Sequence, residues 1–315
     1  RRRFFYKWTK YLCGWRVVDL VIKLGIIGLK DFDNGHPYSF AAIINGYDKK
    51  YFKKSKFKVI LNYLKLKKKK DFGFKNVKVT HAWTQNKKIT KNLCKSCKID
   101  NCLSHYQEMI GYVDAVIIAR DDLHFKISKI FLKKKIPVFI DKPLTLKKKE
   151  LIYYEKYLKK GLLMSTSGLR FSKEILEAKK KIKKIGKIRL INAAVINGLS
   201  KYGVHMLDMI DELDFLRVKK ISRKSNNIDT INYFCEKDIS INLFCLGKVS
   251  KIFNLHFVGS NGSFSINVLD NFSAFKNTLE KFIKMIKNKK PELEPKKTIN
   301  VLKVLISSLN KKKYV

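Results

Sequence analysis

Short apolar runs alternate with amphipathic stretches from Val21 through the first half of the chain. The pattern predicts strands at 21–28, 77–83, 113–120 and 136–141, and helices at 37–46, 89–99 and 124–135. This alternation is typical of a parallel sheet with helices on both faces. Ligands of such sheets bind beyond the carboxyl ends of the strands. Gly28, Arg120 and the pair Asp141-Lys142 fall at those ends.

After Leu146 the pattern changes to mostly consecutive strands. Helices are predicted at 148–160, 172–184, 272–288 and 297–310, and strands at 162–168, 188–196, 218–224, 230–236, 239–246, 250–259 and 262–269. Successive strands favour an antiparallel sheet. The predicted fold class is therefore α/β with two domains: residues 1–20 are a preface, 21–145 a nucleotide-binding domain, and 146–315 an α+β domain with an open, mostly antiparallel sheet. The Lys-rich segment 47–76 is interpreted as an insertion carrying a helix.

The charge of the chain is extreme but unfocused. The formal net charge is +43, yet only nine of the 69 basic residues are arginine, and lysines are spread along the whole length. Arginine is favoured for bidentate contacts to phosphates and bases, whereas scattered lysine solvates helix faces. A hydrophobic content of 45% is ample for packed cores. The composition therefore favours a globular protein without a specific nucleic-acid partner; polyanion binding stays open as an alternative suggested by charge alone.

The cysteines and the apolar runs predict a compartment. Six cysteines in a Lys-rich chain without a cleavable signal or a run of spanning length favour free thiols in the cytoplasm and no membrane span. The start, "RRRFFYKWTKYLCGW", mixes basic and aromatic residues and also fits an interfacial membrane helix.

A cysteine cluster suggests a metal. Cys94, Cys97, Cys102 and His105 have spacing compatible with zinc, but Cys94 and Cys97 lie on a helix that the sheet pattern requires. We therefore predict no metal site.

The first strand-turn-helix, "GLKDFDNGHPYSF", lies where a dinucleotide pyrophosphate would meet a helix N-terminus. Gly28 holds the first glycine place, Lys30 replaces the second, and Gly35 comes further along. The second predicted strand ends in Thr84 and Gln85 rather than in an acid for a ribose diol, which leaves NADP open beside NAD.

Proline fixes its own φ and restricts the residue before it, so Pro143 in "VFIDKPLTL" limits Lys142 and aims its ammonium. The stretch 114–146, with His124 at a helix start and Asp141-Lys142-Pro143 after a strand, resembles the first signature of the glucose-fructose oxidoreductase, inositol dehydrogenase and rhizopine-catabolism (Gfo/Idh/MocA) family, with Asp for Glu. "YGVHMLDMI" (202–210) resembles its Gly-x-His-x-x-Asp helix. The likeness runs from about Leu24 to the C-terminus.

The resemblance implies an N-terminal Rossmann dinucleotide-binding domain and a substrate domain. It also implies NAD or NADP as cofactor, a sugar, nucleotide sugar or cyclitol as substrate, oxidation or reduction at CH–OH, and a homodimer or homotetramer. His205 would be the proton-accepting base, and Lys142 would stabilise the alkoxide. One departure is Lys201, where many members have an Asp one helical turn before the His; it could orient His205, donate a proton or bind an anionic group.

The candidate residues form three groups. The predicted catalytic residues are Lys142, His205 and Lys201, and the predicted cofactor-binding residues are Gly28, Leu29, Lys30, His36, Arg120, His124, Asp141 and Lys142. The predicted substrate-binding residues are Asp121, Asp122, Arg170, Tyr202 and Asp208. For Arg170 a surface ion pair, and for Asp121 and Asp122 helix capping, stay open. A non-catalytic member of the fold that binds nucleotide and sugar is the alternative function.

Overall fold

The computed structural model describes residues 20–29 and 34–310. Of the predicted preface, only Leu20 falls within these ranges. The predicted α/β class, with a parallel first sheet and a mostly antiparallel second sheet, is confirmed.

Six parallel strands form the first sheet, in the order β3-β2-β1-β4-β5-β6. They are β1 Ile22–Ile27, β2 Val77–Trp83, β3 Asn101–Cys102, β4 Ala115–Ile118, β5 Val138–Ile140 and β6 Leu163–Met164. β4 and β5 are buried at every position, as expected for strands covered on both faces. The strand order reverses between β1 and β4, so a crevice opens beyond their carboxyl ends. The two-residue strand β3 was not predicted, because it is too short to show a period.

Six helices belong to this first layer. They are α1 His36–Asn45, α2 Lys49–Phe52, α3 Lys58–Lys65, α4 Lys87–Cys97, α5 His124–Lys133 and α6 Lys148–Lys159. Pro37 lies in the first turn of α1, where a missing N–H does no harm, and the Asn86 side chain caps α4 by accepting from Lys88 and Ile89. α3 is the helix predicted within the Lys-rich insertion.

The second sheet has the order β12-β11-β7-β10-β9-β8. Its strands are β7 Ile188–Val195, β8 Val218–Ser225, β9 Asp229–Cys235, β10 Ser240–Cys245, β11 Phe253–Gly259 and β12 Gly262–Asn267. Every neighbouring pair is antiparallel except β7 with β10, which is parallel. Two helices of this half, α7 Lys173–Ile182 and α8 Val204–Glu212, carry residues that pack in the second core.

The two closing helices, α9 Asn271–Asn288 and α10 Pro295–Asn310, join the halves. α9 places Phe275 against the rings of His36 and Phe40 of the first layer. α10 contributes Leu302 to the first half's core and Leu305 to the second. Two elements that follow residue 145 also contact the first sheet: β6 pairs with β5, and residues of α6 pack in the core beside them. No helix within the described ranges is long and apolar enough to cross a membrane.

Substitution of Phe40 tests the contact of α1 with α9. Its buried ring contacts Phe139 and Phe275 edge-on, so we expect Phe40→Ala to lower the free energy of unfolding by about 3–5 kcal/mol. Urea denaturation measures this. The control Val59→Ala removes a side chain that is 75% exposed and should change the unfolding free energy by less than about 0.5 kcal/mol. Equal effects for the two variants would contradict the role of this contact.

Candidate active site

Gly28 ends β1 at the point where the first turn meets α1. Its N–H donates to the carbonyl of Trp83 at the end of β2. A Cβ at this position would lie 2.2 Å from Cγ of Pro37 and 3.2 Å from the carbonyl oxygen of Ala119. Only glycine therefore allows α1 to approach the strand this closely, which brings the helix N-terminus to the crevice.

Asn34 is the residue of this turn that the sequence interpretation missed. Its Nδ2 donates to Asp121 Oδ1 at 2.8 Å and to Asp141 Oδ2 at 3.0 Å, and its Oδ1 accepts from the His36 N–H at 2.9 Å. One amide therefore joins the first turn to the ends of β4 and β5. The dipeptide Asn34-Gly35 is a turn signal that could have directed attention to it.

Asp141 and His36 form a tight pair at the end of β5. Nδ1 of His36 donates to Oδ2 of Asp141 at 2.6 Å, and the carboxylate is buried. Burial by itself would raise the pKa of Asp141, but the charge and hydrogen bond of His36, the Lys142 ammonium and the Asn34 amide outweigh it and hold the pKa well below its usual range. Asp141 is therefore an anion that anchors the turn to the strand end.

Lys142 follows directly and faces the second half of the molecule. The residue is only 5% exposed, and its Nζ lies 5.5 Å from the ring centroid of Tyr202. Tyr202 belongs to a π-helical turn, Leu199–Gly203, that leads into α8. Lys142 comes from the first sheet and Tyr202 from the second domain, so the two halves meet at this point.

His205 lies in the first turn of α8 and is 7% exposed. Its ring centroid is 5.5 Å from that of Tyr202 and 5.3 Å from that of Phe253. Nδ1 lies 2.6 Å from Oγ of Ser167. Burial, followed by the charges of Lys142 and His36, lowers the pKa of His205 well below its ordinary value, with Asp141 opposing. The surroundings of the imidazole therefore disfavour its protonated form.

An ion pair links the two halves beside these groups. Nζ of Lys201 lies 2.7 Å from Oδ2 of Asp121, and the Lys201 side chain is 44% exposed. Burial alone would raise the pKa of Asp121, but Lys201 and Lys142 together lower it. Lys201 therefore does not replace the missing acid; it neutralises an acid supplied by the loop after β4.

The remaining residues after β4 hold this loop. Nε of Arg120 donates to Oδ1 of Asp122 at 2.6 Å, and its guanidinium lies 5.8 Å from the Trp83 ring centroid. Nη1 of Arg120 is buried and has no hydrogen-bond partner among the described residues. The ring nitrogens of His124 lie against the carbonyls of Leu144 and Arg120. Asp122 and His124 thus support the loop, and their binding of substrate and cofactor stays a prediction.

Arg170 and Asp208 occupy the interior and not the crevice. Arg170 has no exposed surface, and its Nη2 lies 2.8 Å from Asp208 Oδ1 and 2.9 Å from Asp211 Oδ2. Burial raises the pKa of Asp208 to about 6, although Arg170 opposes it. Arg170, Asp208 and Asp211 thus form a buried cluster that holds α8, and substrate binding by Arg170 and Asp208 stays a prediction.

The remaining predicted residues of the first turn and the cysteines lie away from these contacts or outside the described ranges. The Leu29 side chain is buried in the first core, so only its backbone remains available, and Lys30 lies outside the described residues. Cys94 and Cys97 are buried on α4, while Cys102 is exposed. Within residues 20–29 and 34–310, no group of three or more His, Cys, Asp or Glu side chains is arranged to hold a metal ion.

Comparisons with known proteins agree with this architecture. Residues 59–161 match the family model GFO_IDH_MocA, described as "Oxidoreductase family, NAD-binding Rossmann fold". No curated protein matches the chain in sequence. This match agrees with the family resemblance that the motifs predict, and the description of the family model names NAD binding by its Rossmann fold.

Solved structures extend the likeness over both domains. Myo-inositol 2-dehydrogenase from Lactobacillus plantarum has a TM-score of 0.73 at 16% identity, covering 92% of this chain and 96% of that one. Scyllo-inositol dehydrogenase from Lactobacillus casei, with bound NAD(H) and scyllo-inositol, gives 0.71 at 16%, covering 91% and 95%. Biliverdin reductase from Synechocystis, with biliverdin and NADP+, gives 0.69 at 13%, covering 91% and 97%. At these identities the likeness shows the fold alone.

The His36–Asp141 pair predicts a pH-dependent coupling. A carboxyl whose folded pKa is depressed contributes stability above its unfolded pKa of about 3.9 and loses it as the pH falls through the folded value. In a double-mutant cycle of His36→Ala and Asp141→Asn, we expect a coupling energy of about 1.5–3 kcal/mol at pH 6. The coupling should shrink below about pH 4. Urea denaturation at both pH values measures it, and a coupling that grows toward acid would contradict this pairing.

Proposed function

We propose that the chain belongs to the Gfo/Idh/MocA family of oxidoreductases, whose NAD-binding domain model its residues 59–161 match, and that it is an NAD(P)-dependent enzyme that interconverts a secondary alcohol and a ketone. The proposed substrate is a sugar, nucleotide sugar or cyclitol. The observation that carries the proposal is that Lys142 and His205, from different domains, both lie next to the ring of Tyr202.

The first crevice fits a dinucleotide. Gly28 leaves the close approach that a Cβ would fill, α1 directs its N-terminus to the switch point, and Nη1 of Arg120 is a buried donor without a partner among the described residues. A helix N-terminus and an arginine both suit phosphate oxygens. Gly28, His36 and Arg120 would hold the cofactor. When bound, the nicotinamide supplies or accepts a hydride at the substrate carbon.

The residues of the chain then handle the substrate oxygen and its charge. The ammonium of Lys142 lies in a nearly dry site, where a fixed positive charge stabilises a developing alkoxide more strongly than in water. His205 would provide a second polar contact from α8, and the Tyr202 ring lies next to both groups. Asp141 keeps Lys142 in place through its hydrogen bonds to Asn34 and His36.

A non-catalytic binding protein of the same fold is the second candidate. The Lys201–Asp121 pair spans the crevice where an acid would accompany His205, and Lys30 stands in place of a glycine of the turn. Such a protein would bind nucleotide and sugar without turnover. The proposed location is the cytoplasm, and the proposed assembly is a homodimer or homotetramer.

Cofactor binding tests the shared premise of both candidates. We expect NADH or NADPH fluorescence to change on titration with the protein, with saturation at one cofactor per chain, because the first domain has one switch point. Since the second predicted strand ends in Thr84 and Gln85 without an acid, NADPH is expected to bind at least as tightly as NADH. Absence of binding for both nucleotides would contradict either candidate.

Turnover separates the enzyme from the binding protein. On a panel of sugars, nucleotide sugars, cyclitols and biliverdin, NAD(P)H absorbance should report turnover with at least one sugar or cyclitol. Lys142→Ala should then lower kcat/KM by about 100-fold or more, because it removes the charge beside the reacting oxygen. The control Lys149→Ala removes an exposed lysine from the same segment and should leave kcat/KM unchanged. Cofactor binding without turnover on any substrate would favour the second candidate, and full activity of Lys142→Ala would contradict the role of Lys142.

A further inference from the structure

Ser167 is a buried residue whose backbone and side chain are both hydrogen-bonded next to His205. Its backbone N–H donates to Oδ2 of Asp208 at 2.6 Å, and its carbonyl accepts from the N–H of Arg170 at 3.2 Å. The residue has no exposed surface. Asp208 and His205 lie one turn apart on α8. The helix therefore contacts Ser167 twice: Asp208 binds its backbone N–H, and Nδ1 of His205 lies 2.6 Å from its Oγ.

The hydroxyl of Ser167 has a defined hydrogen-bond direction. Oγ already accepts from the N–H of Leu169 at 3.3 Å. In the part of the chain that the structure describes, Nδ1 of His205 is the acceptor within reach of the hydroxyl hydrogen. If Nδ1 carried a hydrogen instead, the serine O–H would be buried without a partner, which is unfavourable. Ser167 therefore donates and Nδ1 accepts.

The charges around the ring oppose the protonated form as well. Lys142 and His36 face the imidazole from the first domain and disfavour a second positive charge, while Asp141, already paired with His36, opposes them only in part. Tyr202 and Phe253 cover the ring with aromatic surface. A neutral imidazole whose Nδ1 accepts a hydrogen bond carries its hydrogen on Nε2.

We propose that Ser167 is a positioning residue that holds His205 as the neutral tautomer with hydrogen on Nε2, so that His205 donates a hydrogen bond to the substrate oxygen and Lys142 exchanges the proton. This differs from the base role that the sequence motif assigns to His205. The part concerning substrate rests on the proposed function, whereas the tautomer does not.

The proton count follows from this tautomer. Neutral His205 cannot give up its Nε2 hydrogen completely, because that would leave an imidazolate beside a serine that cannot compensate it. In the reducing direction, a bound reduced nicotinamide would supply the hydride to the carbonyl carbon, and the Lys142 ammonium would give its proton to the carbonyl oxygen. Lys142 becomes an amine and is reprotonated from solvent, while His205 keeps its hydrogen throughout. Oxidation of the alcohol is the reverse.

Nitrogen-15 NMR of the histidine side chains in the full-length protein tests the tautomer directly. The signals of His205 are those absent from His205→Gln, and two-bond couplings to the ring protons distinguish hydrogen on Nε2 from hydrogen on Nδ1 and from the imidazolium. We expect the Nε2–H pattern between about pH 6 and pH 8. Ser167→Ala should shift His205 toward a mixture of the tautomers. Ser172→Ala, which removes a buried serine hydroxyl that caps α7, should leave the Nε2–H pattern unchanged.

Hydrogen on Nδ1, or an imidazolium at pH 7, in the wild-type protein would overturn the proposal. The wild-type spectrum decides this even if Ser167→Ala fails to fold. Because no substrate is needed, a protein with the Nε2–H pattern but no turnover would contradict the proposed function and leave the tautomer standing. With an active substrate, Ser167→Ala should lower kcat by up to about 100-fold with little change in KM, and Ser167→Thr should restore it. An unchanged kcat in Ser167→Ala would contradict the role of Ser167 in turnover.

Discussion

The buried carboxylate of Asp141 accepts hydrogen bonds from Asn34 and His36, and the geometry of the site depends on these bonds. They join the end of β5 to the N-terminus of α1, which is also the end of the sheet where the strand order reverses. A buried anion without such partners is strongly disfavoured, so the turn, the helix and the strand must adopt their positions together. The position of Lys142, the next residue, is fixed by the same hydrogen bonds. Asp141 is bound to Asn34 and His36 in the first domain, whereas the ammonium of Lys142 lies next to Tyr202 of the second domain.

In the second domain, buried polar contacts likewise hold a residue of the site in place. Arg170 lies fully buried between Asp208 and Asp211. Ser167 donates its backbone N–H to the carboxylate of Asp208 and its hydroxyl to the imidazole of His205. Residues that look like substrate ligands in the sequence therefore form the support for one imidazole. An arginine can serve in either way, and its burial decides between them.

The charge of the chain has little part in this site. Most of its lysines solvate the surface, and the basic groups that matter here are each matched to an acid or an aromatic ring: Lys201 to Asp121, Arg120 to Asp122 and Trp83, and Lys142 to Tyr202. The crevice is thus electrically balanced although the chain carries a formal charge of +43.

The sequence by itself determined the alternation of strands and helices, the change to consecutive strands after Leu146, and the two motifs that carry Lys142 and His205. These features are local, because hydrophobic period and turn residues act over a few positions. The tertiary structure alone decided which partners the polar residues have. Asn34 and Asp141 are separated by 107 positions, and Ser167 and His205 by 38. No local pattern records a hydrogen bond across such a separation, since it exists only once the chain has folded.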